Sequence, residues 1–355
     1  MMNIKHLSAC LLLTLLYACS NESNAGTKLL SRFPSAQKVK VTEKNIELDS
    51  LRSPYIMTYV DSLLVFANYG YSKLLTVFNA QTGKYIGDYL NKGSGPNELI
   101  HINSLDSQDN KLIVFDSSSQ KIVFYSKERL LKSNAWDSQI RIQGDSASVY
   151  SSFTCYPLNN DCLVVSGIIK NNRFAILDKN SKCINTFGEY PGEEKDYTAN
   201  AFAYDSKLTY NTNKRIVSAG SFDGENIVFY DMKNVQSPKM IKEHTGILPV
   251  YKDTSDEHSK GVTFGKESVV GVVSLAASPE YCIALYRGKP YEGREYGGDK
   301  LILFDWETGE AVKVLQLDQV YENITYDTLN KEVVLLGTDE ETFDYRVAAI
   351  SLDKK

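Results

Sequence analysis

Apolar residues in this chain recur at every second position in short runs and seldom at every third or fourth. From Val39 to Leu352 the runs are rich in Val, Ile, Leu, Phe and Tyr and are separated by clusters of Asn, Asp, Gly and Ser, the pattern of strands joined by polar turns. No helical periodicity is sustained over three turns. The runs come in sets: an apolar strand, a loop, a strand ending in an aromatic residue or Leu, a polar turn, then an amphipathic strand. Phe78-Asn79-Ala80-Gln81-Thr82-Gly83-Lys84 and Phe304-Asp305-Trp306-Glu307-Thr308-Gly309-Glu310 are two copies of one hairpin. The turn dictates these residue types, because Asn or Asp folds its side chain onto the following backbone and Gly takes positive φ.

Weaker copies begin at Phe124, Leu177, Phe229 and Ile350, so the spacings from Phe78 onward are 46, 53, 52, 75 and 46 residues. A period of about 50 residues with four strands per unit is a propeller blade. Six copies predict an all-β, six-bladed β-propeller of four-stranded blades over 36–355. A β-sandwich also has short strands and polar turns, but it has no reason to repeat one hairpin six times. Ile350-Ser351-Leu352 falls in the third strand of the last blade. The segment with Val39, Val41, Ile46 and Leu48 is therefore expected to supply the fourth strand and close the ring, which removes an exposed edge.

The start of the chain reads as an export signal. Lys5 precedes an apolar run from Leu7 to Leu16, too short to span a bilayer. Leu16-Tyr17-Ala18-Cys19 resembles the bacterial lipobox, which implies cleavage before Cys19 and a lipid on its thiol. An ordinary signal peptide containing Cys19 is the alternative. Residues 1–18 are thus assigned as a lipoprotein signal peptide and 19–35 as a lipid-anchored tether, rich in Ser, Asn and Gly up to Thr27. Contact with the membrane is expected only through that lipid. The expected location is the outer membrane, on either its periplasmic or its cell-surface side.

Charge narrows the partners. Lys and Arg number 39 against 44 Asp and Glu, a net −5, and removing the signal takes away Lys5 and no acid. No basic face for nucleic acid is indicated. Four cysteines follow Cys19, at 155, 162, 183 and 282, in no metal or disulfide framework. Cys155 and Cys162 flank a predicted turn, where they either pair or remain buried thiols.

Two stretches resemble a known family. Tyr281-Cys282-Ile283-Ala284-Leu285-Tyr286-Arg287-Gly288-Lys289, followed by Leu303-Phe304-Asp305-Trp306, is similar to the C-terminal signature of the TolB-like six-bladed propeller lipoproteins of Bacteroidetes. Lys92-Gly93-Ser94-Gly95-Pro96-Asn97-Glu98 resembles that family's Gly-x-Gly-Pro-x-Glu loop. The resemblance implies the six-bladed fold and export, and it supplies no catalytic residues.

In a four-stranded blade, the loop between strands two and three shares a face with the crossing to the next blade. This rule puts 91–101, 135–145, 188–213, 243–266, 69–73, 287–299 and 337–344 on one face. It leaves the other with tight turns alone. Function concentrates on long loops carried by rigid scaffolds, so the long-loop face around the channel mouth is the expected site. Candidate ligand-binding residues there are Tyr69, Tyr71, Tyr286, Arg287, Tyr291, Arg294 and Tyr296, because tyrosine offers a flat face with a hydroxyl and arginine a planar donor fork. The alternative is a solvated insertion whose side chains cover neighbouring loops. The loop of Gly93, Gly95, Pro96 and Glu98 reads either as an anion-binding nest or as a tight crossing in which Gly takes unusual φ and Pro adds rigidity; its echo at Gly188 to Glu193 favours the crossing.

Chemical motifs are sparse. There is no Gly-x-Ser-x-Gly elbow and no His-Glu-x-x-His zinc motif. Gly261 to Glu267 is a degenerate phosphate loop and reads as a strand entry. His244 and His258 share a long acidic stretch with a spacing that specifies no metal. No cofactor, metal or catalytic residue is expected. The leading expectation is a monomeric, non-catalytic binding protein for a glycan, a peptide or an envelope protein. A polysaccharide hydrolase or lyase with carboxylates at the channel mouth and a scaffold for an envelope complex are the alternatives.

Overall fold

A computed structural model describes residues 28–352 apart from 134, 145–147, 160, 193–195, 291–296 and 340. The signal peptide, Cys19 and most of the tether lie outside the described residues.

Six antiparallel blades follow one another around a central axis. Blade one comprises Pro54–Val60, Leu63–Asn68, Lys73–Asn79 and Tyr85–Lys92; blade two, Ser104–Gln108, Lys111–Asp116, Lys121–Ser126 and Ser138–Arg141; blade three, Val149–Leu158, Cys162–Ile169, Phe174–Leu177 and Cys183–Phe187. Blade four comprises Ser206–Asn211, Ile216–Ser221, Asn226–Asp231 and Lys239–Thr245; blade five, Val269–Ala277, Tyr281–Pro290, Gly298–Asp305 and Ala311–Tyr321; blade six, Asn323–Asp327, Glu332–Thr338 and Tyr345–Ser351. All six predicted hairpin starts, from Phe78 to Ile350, sit in third strands.

Alternation explains why the ring packs. A strand's odd and even side chains leave opposite sheet faces, and in a propeller both faces of the middle strands are covered by neighbouring blades. Val333 and Leu335 join the apolar cluster shared with blade five. Val334 and Leu336 join the one shared with blade one. Four further clusters fill the remaining interfaces. Second strands are accordingly buried along most of their length, and entirely in Leu63–Asn68 and Ile216–Ser221, whereas the outermost Tyr85–Lys92 is largely polar and half-exposed.

The ring closes as expected, through a short contact. Thr42 and Glu43 pair antiparallel with Ala349 and Ala348 as the fourth strand of blade six. Just before this, Gln37 and Lys38 pair parallel with Leu315 and Gln316 at the edge of blade five. The N-terminal segment therefore stitches two blades.

Three expectations need correction, and one open alternative is decided. The tether does not extend to residue 35: Leu29 is 1 % exposed within the blade four–five cluster, and Phe33 packs edge-on against His244 and Phe304. The short-turn face does not carry tight turns alone, since the helix Lys127–Lys132 lies between the third and fourth strands of blade two. For the same reason 135–145 is not one crossing, because Ser138–Arg141 is the outer strand of that blade. Of the two alternatives for Cys155 and Cys162, the structure gives buried thiols that do not pair with each other. Cys155 stands opposite Val165 and Cys162 opposite Leu158, an odd offset that turns them to opposite faces and into different clusters. The long spacing before blade five reflects longer strands and an inserted hairpin, Tyr251–Asp253 with Val262–Phe264.

Candidate functional site

The innermost strands of the six blades enclose a channel cavity of about 1120 Å³ that reaches both faces, enough for a drug-sized ligand or larger. Its wall is stitched by polar side chains. Asn323 accepts from the Met57 N–H (3.0 Å) and donates to Ser274 Oγ (3.0 Å), linking blades one, five and six. Thr154 Oγ1 donates to the Ser206 carbonyl (2.9 Å), linking blades three and four.

On the long-loop face one sector of the mouth is aromatic. Tyr55, at the start of the innermost strand of blade one, and His101, in the crossing to blade two, stack with centroids 5.5 Å apart and planes 4° apart. Tyr69 meets both edge-on, at 6.5 Å from Tyr55 and 6.0 Å from His101. The stack is held from below. The buried Asp116 carboxylate accepts the Ile100 N–H (2.7 Å) and the amides of Ser118 and Ser119, which fixes the crossing on which His101 rides. The Tyr55 hydroxyl donates to the Ile102 carbonyl. Burial lowers the His101 pKa, partly opposed by Asp116, so its ring is neutral at neutral pH. Tyr69 is 66 % and Tyr71 44 % exposed.

The other candidates fare differently. Tyr286 is not a surface ligand but fully buried. Its hydroxyl donates to the buried Glu225 carboxylate, which also accepts the N–H groups of Ile247 (2.7 Å) and Leu29 (3.4 Å). Burial, reinforced by Glu225, raises the Tyr286 pKa well above its usual value. Arg287 is also buried rather than displayed, and it donates to the Gly297 carbonyl (3.3 Å). Tyr291, Arg294 and Tyr296 lie outside the described residues.

The Gly93–Glu98 loop is occupied by its own acid. Glu98 Oε2 accepts the Gly95 N–H (2.9 Å), Gly93 N–H donates to Leu99 O (2.9 Å), and Glu98 and Leu99 pair alongside Asn91 and Lys92. Neither Gly93 nor Gly95 has positive φ. A Cβ at Gly93 would come 2.0 Å from Glu98 Oε2, so a side chain there would push the carboxylate off the Gly95 N–H. The nest thus serves a structural crossing.

His244 and His258 do not meet. His244 is buried, its Nε2 2.7 Å from the Gly309 carbonyl, and His258 follows the Asp256 turn. Among the described residues no group of three His, Cys, Asp or Glu side chains is placed to hold a metal.

Sequence reading missed Tyr55 and His101, which look like ordinary strand and loop residues until the fold stacks them. It also missed Asp106, which lines the channel beside Tyr156. Burial pushes the Asp106 carboxyl up to about 6, opposed by hydrogen bonds from the Ser107 amide and the Tyr156 hydroxyl.

A family model described as TolB-like 6-blade propeller-like matches residues 31–328. A member of the DUF4221 family from Bacteroides vulgatus superposes with TM-score 0.57 at 11 % identity, over 89 % of this chain and 98 % of that one. A candidate exported protein from Bacteroides fragilis gives 0.54 at 11 % identity, over 91 % and 99 %. At that identity the likeness shows the fold. None of the proteins of curated function matches this sequence.

Proposed function

We propose that this chain, which belongs to the TolB-like six-bladed propeller family, is a non-catalytic binding protein of the outer membrane that holds its ligand at the long-loop mouth of the channel. The observation that carries this reading is the Tyr55–Tyr69–His101 wall opening onto the wide cavity. Aromatic faces fixed by buried hydrogen bonds lose little freedom when a ligand stacks on them. Lipidation of Cys19 is part of the proposal and rests on the pattern from Lys5 to Cys19. No helix among the described residues is long and apolar enough to cross a membrane.

The test is a thermal-shift panel of oligosaccharides, peptides and envelope proteins against the purified protein. One class raises the melting temperature, because a ligand specific to the folded state stabilises it, and Tyr69→Ala and His101→Ala remove that rise. A ligand whose stabilisation survives both substitutions would overturn the site. A second reading, a hydrolase or lyase acting on polysaccharide, draws on Asp106, since a carboxyl with a pKa of about 6 suits a general acid. Turnover that disappears in Asp106→Asn supports it; absence of turnover across a polysaccharide panel removes it.

A further inference from the structure

The channel wall is unevenly charged. Among the described residues lining it are six carboxylates, Asp61, Asp106, Asp109, Glu322, Asp327 and Asp339, against Lys207 and His101. Two acids are paired with lysines from outside the wall: Lys127 Nζ is 2.9 Å from Asp61, and Lys44 Nζ is 3.7 Å from Asp327. The Lys207 ammonium lies 6.0 Å above the Phe222 ring centre. His101, neutral at neutral pH, adds an aromatic face without a positive charge.

At the long-loop mouth the acids and the aromatic faces come together. The turn between the second and third strands of blade six carries Asp339, whose Oδ1 accepts the amides of Glu341 (2.9 Å) and Thr342 (2.8 Å). Those bonds hold its carboxyl below the usual range. Phe343 in the same turn is 78 % exposed with φ of 61°, so a large apolar side chain is presented to solvent from a backbone conformation that favours Gly or Asn. Tyr345, two residues on, reaches Ser53 of blade one (3.5 Å), whose carbonyl accepts the Tyr69 N–H. Blade six thereby places this turn beside the aromatic wall, and the exposed Glu322 enters from the blade five–six crossing. Ring faces attract cations, and carboxylates reinforce them.

Resting on the binding reading above, we infer that the channel mouth recognises a cationic ligand, a peptide segment presenting lysine or arginine side chains, and discriminates against anionic glycans. Rings from blade one and Phe343 cover the aliphatic stem and the faces of the cation, while Asp339 and Glu322 take its charge.

The test is calorimetric titration of the purified protein with trilysine, fully acetylated trilysine and a galacturonate trimer. Trilysine binds, the acetylated form binds at least about tenfold more weakly, the galacturonate does not bind, and added salt weakens the trilysine interaction. The double variant Glu322→Gln, Asp339→Asn weakens trilysine about tenfold without moving the melting temperature. A charge-matched control on the opposite face, Glu280→Gln with Glu307→Gln, leaves binding unchanged. Equal affinity for acetylated and free trilysine, or equal loss in the control, overturns the inference. A neutral oligosaccharide that binds and is lost in Tyr69→Ala, with no trilysine binding, overturns the cationic class and leaves the site standing. Trilysine binding indifferent to Tyr69→Ala, His101→Ala and the mouth acids overturns both.

Discussion

Counted from the shared hairpin, Leu64 faces Phe78 as Cys282 faces Phe304. Tyr286 of blade five therefore corresponds to Asn68 of blade one, and Arg287 to Tyr69. In blade one the second strand ends at Asn68, and the exposed Tyr69 stands edge-on to Tyr55 and His101, which line the channel. In blade five the ladder continues to Pro290, so Tyr286 and Arg287 remain inside it, the former locked on Glu225. Of the paired positions, Tyr69 became a displayed ring and Arg287 a buried side chain because the ladder runs on in blade five. Asn68 and Tyr286 are both buried, and only the tyrosine became a staple on Glu225.

The largest expected effect breaks or sustains that contrast directly. Tyr286→Ala should cost about 3–5 kcal/mol in denaturant unfolding, whereas Tyr69→Ala should change stability by about 0.5 kcal/mol or less. Similar costs for the two would break the comparison.

Glu225→Gln keeps the shape but leaves one acceptor oxygen for three donors. A loss of about 1–3 kcal/mol and faster proteolysis near Arg32 should follow, because the same carboxylate holds Leu29. Unchanged proteolysis would show that Leu29 and Phe33 hold the segment by packing alone.

Asp106 sharpens the picture of the channel as a place of partial burial. Its folded pKa of about 6 lies above the ordinary 3.8, so the folded state favours the protonated form. The resulting penalty is absent below about pH 4, grows between about pH 4 and 6, and is complete above that. Asp106→Asn should therefore gain up to about 3 kcal/mol over the native protein at pH 8 and little at pH 4. A pH-independent difference between the two would contradict the buried carboxyl.

The smallest effect concerns the turns. Asn79 Oδ1 accepts the amides of Gln81 and Thr82 (3.0 and 2.9 Å), as Asp305 Oδ1 does those of Glu307 and Thr308 (3.1 and 2.8 Å). Asn79→Ala and Asp305→Ala should each cost about 1 kcal/mol. Unequal melting shifts would mean that context outweighs the shared turn.

The blade repeat was legible because local chemistry dictates it: Gly83 and Gly309 take φ of 69° and 68°, which few other residues accept, and the Asx side chain before them satisfies the turn by itself. The six-bladed ring and its N-terminal closure follow from that periodicity and from the cost of an open edge. The site was only half legible. Tyr69 and Tyr71 could be placed on the long-loop face by counting strands, but the burial of Arg287 depended on where a ladder ends, and that of Tyr286 on its bond to Glu225 and its packing with Leu29, 61 and 257 positions away. His101 stacks on Tyr55 only because Asp116 anchors the crossing between them. What the sequence by itself determined is the strand period, the turn chemistry and hence the propeller; what only the tertiary structure decided is which rings and carboxyls face the channel, because side-chain exposure at a strand end depends on contacts between residues far apart in the chain.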